Sequence, residues 1–324
     1  MTVKNLSFEE QLKLFQSRGM IVSNDDIKRN KLSNINYYRL KEFAAPLSTV
    51  KTIDGEKVRR YDGVKFSEIV IRYYQDKNLR IHLFHAIEKI EVSLKTQLSA
   101  VLGEKYGAFG YLRFSSWCNR EEYCRHYLEL KNSEFKRRLK QKLHRSNYED
   151  LRNQKNLNSE KLPTIWLAID VLSFGDLISL LDLMSIKNLN SIADHYKCSH
   201  GELLSWLKCL HFIRNCCAHN SNVIDVKLKT TPKVREEWKE YLYRRNGRIF
   251  SNRIAITLLI IRNLIKEINP SYRFDEIAKS LGSLAFEKDE RANLLGFNNM
   301  SAIRANFPRK YYKKKSKTAT KPPN

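Results

Sequence analysis

An arginine and a histidine stand with four residues between them in the stretch Phe212-Ile213-Arg214-Asn215-Cys216-Cys217-Ala218-His219-Asn220. Arginine carries a permanent charge on a planar fork that grips phosphate oxygens in pairs. Histidine is the side chain best suited to take up and release a proton near neutral pH. Together they are the minimum for cleaving RNA without a metal or any other cofactor. The histidine removes the proton from a ribose 2′-hydroxyl, and the arginine holds the phosphate as negative charge builds on it. Asn215 can orient either of them or the phosphate.

These residues need a helix to carry them. Ser199 followed by Glu202 is a capping-box start signal, and Leu203, Leu207, Leu210, Ile213 and Cys217 then recur at a helical period. Arg214 sits beside that buried stripe, and Asn220, Ser221 and Asn222 end the helix. Residues five apart on a regular helix point roughly 140° away from each other. Arg214 and His219 therefore meet only if the last turn distorts or if each works with a second copy of the chain. The spacing alone is weak evidence, since Arg80 and His85 share it and the pairs Arg120/His126 and Arg138/His144 come close. The competing reading is a surface arginine and a helix-terminal histidine that interacts favourably with the dipole.

The charge balance supports a polyanionic partner. Lys and Arg total 59 against 35 Asp and Glu, a net charge of +24, and such an excess favours nucleic acid. A basic ribosome-associated or membrane-surface protein would share it. The first ten residues lack the apolar run of a signal peptide, and the longest apolar run, Ile254 to Ile261, is far too short to span a bilayer. The expectation is a cytoplasmic protein with no membrane partner and six reduced cysteines. His195, Cys198 and His200, like Cys118, Cys124 and His126, lack a standard zinc spacing, so the cysteines read as small buried side chains and no metal site is expected.

Taken in order, residues 7–18 read as an amphipathic helix stopped by Gly19, Ser23 to Asp26 open a second helix, and Ile35 to Phe43 form a third. Tyr37, Tyr38 and Arg39 on that third helix can stack on bases and hold a phosphate, or simply pack with a polar tip in water. Lys51 to Gly63 reads as a loop or short hairpin. Phe66 to Tyr106 is a long helix with a stripe at Leu83, Ile87, Ile90, Leu94, Leu98 and Val101. On it, Glu88 and Glu91 are possible orienting carboxylates for Arg214, although Lys95 is a natural i,i+4 partner for Glu91. Residues 113–160 are polar and basic, with Lys136, Arg137, Arg138, Lys140, Lys142 and Arg145 crowding a helix whose apolar face is Phe135, Leu139 and Leu143. With few carboxylates beside them, they read as a phosphate-tracking surface. Pro163 opens another helix, with a kink or break at Gly175, and Ile254 to Ile268 forms a buried helix. The tail carries Arg309, Lys310, Lys313, Lys314, Lys315 and Lys317 interleaved with Tyr311 and Tyr312, the composition of a flexible RNA-contacting arm.

The run Arg214-Asn215-Cys216-Cys217-Ala218-His219 resembles the Arg-Asn-x-x-x-His motif of HEPN ribonucleases. The wider chain, over residues 8–225, resembles the Abi family of bacterial abortive-infection proteins of the AbiD/AbiF type. The other stretches that carry the likeness are QLKLFQSRGMIV from Gln11, INYYRL from Ile35, DKNLR and IEKIEVSLKTQ between Asp76 and Gln97, and PTIWLAIDVLSFGDL from Pro163. Two features depart from the pattern: Asn222 replaces a basic residue three positions after the histidine, and Gly296-Phe297 is not followed by a proline and a tryptophan. The resemblance implies an all-α fold, RNA cleavage, and a role in phage defence or toxin-type growth arrest. Within the Asp-x-x-x-Arg block it also points to Arg80 as an RNA contact.

The expectation is an HEPN-like helical bundle with peripheral helices and a basic C-terminal tail. It divides into an N-terminal helical segment (1–65), a helical core (66–268, with a basic insertion at about 113–160), a C-terminal helical segment (269–307) and the tail (308–324). The expected activity is a metal-independent endoribonuclease with Arg214, Asn215 and His219 as its catalytic residues. RNA is its substrate, a small RNA its possible regulator, and a homodimer its active form. The alternative is a non-catalytic RNA-binding protein in stable complex with a structured small RNA; a basic DNA-binding helical protein is a third reading.

Overall fold

A computed structural model describes residues 5–28, 31–53, 55–245, 247, 249–250 and 252–308. Among these residues the regular structure is helical apart from two short hairpins. Its axis is one helix of 41 residues, Phe66–Tyr106, which at 1.5 Å per residue is about 60 Å long. The expected stripe of Leu83, Ile87, Ile90, Leu94, Leu98 and Val101 is buried, and Leu79 and Leu102 extend it. It stops at Gly107, whose φ of +77° suits a residue without a Cβ and whose N–H reaches back to the Gly103 carbonyl at 2.9 Å.

Before this axis lie α1 (Phe8–Ser17), α2 (Asn24–Lys28) and α3 (Tyr37–Ala44), then the hairpin of β1 (Thr49–Ile53) and β2 (Glu56–Arg60). Ser7 and Glu10 form a capping box on α1. Gly19 ends it at φ +89°, where any Cβ would sit 2.1 Å from Asp62 Oδ1. The axis is α4. After it come α5 (Phe114–Trp117), α6 (Arg125–His144), α7 (Ile165–Val171), α8 (Phe174–Leu183), α9 (Ile186–His195) and α10 (His200–Ala218). A two-residue hairpin, β3 (Arg244–Arg245) with β4 (Ile249–Phe250), precedes α11 (Ile254–Ile268), α12 (Asp275–Ala285), α13 (Asp289–Leu295) and α14 (Met300–Asn306).

The helices α3, α7, α9, α10, α11 and α12 all pack on α4, and the buried apolar side chains from Leu12 to Phe307 form one continuous core. The N- and C-terminal segments thus share a core with the central helices. Gly296 ends α13 at φ +95°, and the next residue, Phe297, is fully buried against Phe307. The helix break expected at Gly175 lies earlier in the chain. The break between α7 and α8 falls at Leu172 and Ser173, because Ser173 and Asp176 make a capping box that starts a new helix. Gly175 lies inside the first turn of α8, where a Cβ would come within 3.1 Å of the His211 ring. Among the described residues no helix is long and apolar enough to cross a membrane.

Candidate active site

The site is built on the end of α10. Its start is the expected one: the Ser199 hydroxyl accepts from Glu202 N–H, and the Glu202 carboxylate accepts from Ser199 N–H at 2.8 Å. Leu203, Leu207, Leu210, Ile213 and Cys217 are buried along one stripe. That leaves Arg214 half-buried at the edge of the stripe, on the side facing α4. Its guanidinium carbon lies 5.5 Å from the centre of the Phe84 ring, a cation–π contact. Its Nε is buried with no hydrogen-bond partner.

The helix stays regular to its end. His219 caps it with φ −96° and ψ 16°, and its N–H bonds the Asn215 carbonyl at 3.0 Å. The ring is exposed. Because the last turn does not distort, Arg214 and His219 diverge as a regular helix requires, and no hydrogen bond joins them. Asn215, expected to orient Arg214, His219 or the phosphate, instead lies against a different side chain, with its Nδ2 3.3 Å from His211 Nε2 one turn earlier. Phe174, at 6.0 Å between ring centres, holds His211 in turn. A histidine four residues before the asparagine was the available signal.

The turn that follows His219 is tied to α4. Asn220 adopts φ +56°, a left-handed conformation that asparagine tolerates better than most residues. Its Oδ1 accepts from Arg80 Nη1 at 2.7 Å, and its carbonyl accepts from Arg39. Arg80 Nε donates to Asp76 Oδ2 at 2.9 Å, and the other Asp76 oxygen accepts the N–H groups of Val223 and Ile224 at 2.8 and 3.1 Å. Burial pushes the Asp76 carboxyl up, and these three donors and the Arg80 charge only partly offset it. Further on, Asp225 accepts from buried Arg72 at 2.7 Å, and its carbonyl accepts from Arg253. Between α4 and the end of α10, Lys77, Ile81, Phe84, Arg80, Cys217 and Asn220 line a shallow pocket of about 360 Å³.

A sequence model of Abi-like proteins matches residues 30–225, more than half of the chain. The chain belongs to the Abi-like protein family. The matched span runs from just before α3 to Asp225, the last residue of the tethered turn. No curated protein and no solved structure matches the chain.

The remaining candidate residues of this Abi-like protein divide by burial. Arg80, expected to touch RNA, is 5% exposed and engaged by Asp76 and Asn220; it belongs to the frame of the site. Neither Glu88 nor Glu91 forms an ion pair with Arg214: Glu88 is exposed, and Glu91 faces Lys95 at 4.0 Å. Tyr37 is core, its ring 4.7 Å from that of Phe15, whereas Tyr38 is 71% exposed with Lys41 against it. Arg39 reaches Glu42 and the Asn220 carbonyl.

On α6, Lys136 pairs with Glu160 at 2.8 Å and Lys142 with Asp176 at 2.9 Å, so two of the six cations are neutralised locally. Arg137, Arg138, Lys140 and Arg145 are exposed. The basic positions Arg309, Lys310, Lys313, Lys314, Lys315 and Lys317 lie outside the described residues. A larger cavity of about 670 Å³ between α6, α8 and α10 holds no motif residue, and its rim is self-paired through Lys131–Glu134 and Lys208–Asp182. Cys118 is buried, and burial pushes its thiol up to about 12; Cys124, expected buried, is exposed because it lies at the open start of α6. Among the described residues no group of three or more His, Cys, Asp or Glu side chains is arranged to hold a metal ion.

Proposed function

We propose that this Abi-like protein is a metal-independent endoribonuclease of the HEPN type. Its family supports a role in abortive infection, and RNA cleavage is the activity that would arrest growth. The observation that carries the reading is Arg214. It is a half-buried guanidinium held by a ring and not by a carboxylate, with a buried Nε that has no partner, on the same helix end as an exposed histidine. An arginine kept for internal stability would be paired. One left unpaired beside a pocket is available to an anion.

In this mechanism an imidazole at His219 takes the proton of a ribose 2′-hydroxyl. The 2′-oxygen attacks the adjacent phosphorus, Arg214 stabilises the extra charge on the non-bridging oxygens, and the P–O5′ bond breaks as the 5′-oxygen takes the proton back from the His219 imidazolium. The products are a 2′,3′-cyclic phosphate and a 5′-hydroxyl. Because Arg214 and His219 diverge within one chain, the active form is a homodimer in which motif helices of two copies face one cleft. Exposed Ile81 and the partly exposed Phe84 beside Arg214 offer apolar surface for a second copy to cover. Arg137, Arg138, Lys140, Arg145 and the basic tail track the RNA backbone.

The test is expression and purification of the wild type beside His219→Ala and Arg214→Ala. Wild type slows growth and cuts RNA in the presence of EDTA; both variants fold, relieve the growth defect and fail to cut. A wild type that binds RNA tightly without cutting it supports a binding protein instead. A His219→Ala chain that cuts at the wild-type rate refutes the assignment.

A further inference from the structure

His219 makes no side-chain hydrogen bond among the described residues, so the hold on its backbone sets where its ring can reach. That backbone is held from α4, 140 residues earlier in the chain. Asn220, directly bonded to His219, is gripped twice: by its side chain through Arg80 and by its carbonyl through Arg39. Arg80 is itself aligned by Asp76, which is fully buried and also fixes Val223 and Ile224. Charge-assisted bonds in a desolvated setting are short and directional. They resist the rotation about Asn220 that would let the end of α10, and the imidazole it carries, shift relative to α4.

We propose that Asp76, Arg80 and Asn220 are positioning residues that set the His219 imidazole, an inference that rests on the reading of His219 as the acid/base. Arg80 acts through Asn220, and Asp76 acts through Arg80. The three come together from the interior of α4 and the turn after α10, which sequence proximity does not connect. The block Asp76-x-x-x-Arg80 puts both side chains on one face of α4, one turn apart. Asn220 is the only one of the three that can be changed without opening the core.

The experiment uses that difference. Asn220→Gly keeps the left-handed backbone accessible and removes only the acceptor of Arg80. Asn220→Asp keeps the acceptor and gives Arg80 a charged partner. Both are compared with wild type as full chains on single-stranded RNA in EDTA. Ring order of His219 is read in parallel by NMR relaxation on isotope-labelled imidazole. For Asn220→Gly, kcat falls about tenfold to a hundredfold, as misplacement of a reacting group by about 1 Å does, with KM within about twofold. Its melting temperature holds and its His219 ring becomes more mobile. Asn220→Asp restores both the rate and the ring order. An Asn220→Gly chain with wild-type kcat and ring order overturns the clamp, as does a fall in rate that Asn220→Asp does not repair. If wild type cuts no RNA, the nuclease reading falls separately, and the ring order alone decides: an unchanged His219 ring in Asn220→Gly overturns the clamp.

Discussion

Replacing Asp76 by asparagine isolates the charge that holds the frame of the site. The amide has nearly the shape of the carboxyl and can still accept the N–H groups of Val223 and Ile224. What it cannot do is balance Arg80, whose side chain is 6% exposed beside a fully buried partner. Breaking a buried ion pair by removing one partner costs about 3–5 kcal/mol, because an uncompensated charge is left behind. The lower end, about 3 kcal/mol, applies here, since Arg80 keeps Asn220 and lines a pocket open to water. With about 2.1 cal/mol/K of unfolding entropy per residue, a 324-residue chain loses about 1.5 °C of Tm per kcal/mol, so the expected drop is about 4–5 °C. The assay is thermal and urea unfolding of wild type, Asp76→Asn, Arg80→Met and the double variant. Replacing both partners is often near neutral, so the double variant recovers much of the loss, all the more because burial already works against the Asp76 charge. A loss below about 1 kcal/mol, the range of exposed pairs, would refute the desolvated pair and with it the rigid frame.

Other consequences are open to measurement. If the exposed cations of α6 track phosphates, replacing Arg137, Arg138, Lys140 and Arg145 by glutamine reduces the slope of log affinity for single-stranded RNA against log salt by about 3, at about 0.7 per contact; an unchanged slope removes α6 from the RNA path. Burial raises the Glu202 carboxyl, but Arg235 and the Ser199 cap outweigh it and leave it below the usual glutamate value. A depressed carboxylate contributes stability that is present above the unfolded-state pKa of about 4.3 and lost as pH falls through the folded value. Urea unfolding of Glu202→Gln should therefore show a shallower acid-side decline than wild type, and identical pH profiles would contradict that assignment. Mixing inactive Arg214→Ala with inactive His219→Ala chains should restore part of the cleavage activity if the site is shared across a two-fold interface. A monomer in light scattering with full activity would eliminate the shared site.

The sequence made the long-range scaffold readable where the signal was local. The apolar stripe of α4 keeps its period from Leu79 to Leu102, and the helix bounds at Phe66 and Tyr106 coincide with the expected ones. The Ser199/Glu202 box likewise marked the start of α10. The loop or short hairpin expected from Lys51 to Gly63 is a hairpin of Thr49–Ile53 with Glu56–Arg60, and the second Asp-Gly pair, Asp62-Gly63, lies beyond it. The site was less legible wherever it depended on contacts across the chain. Arg80 reads as a free cation in the sequence because its partner Asn220 is 140 positions away and the fold alone brings them together. Tyr37 and Tyr38 are adjacent and chemically identical, yet the helical rotation between neighbours buries one against Phe15 and exposes the other. Gly175 suggested a helix break; the glycine instead makes room for His211, a contact no local pattern encodes.

The central claim is that a 2′-hydroxyl activated by His219 attacks its own phosphate without a metal. The most direct measurement is mass spectrometry of the fragment ends produced from a defined RNA by purified wild-type protein in excess EDTA. The account predicts 2′,3′-cyclic phosphate and 5′-hydroxyl ends, and no cleavage where the scissile nucleotide carries a 2′-deoxyribose. Fragments with 3′-hydroxyl and 5′-phosphate ends, which require water as the nucleophile, would contradict it.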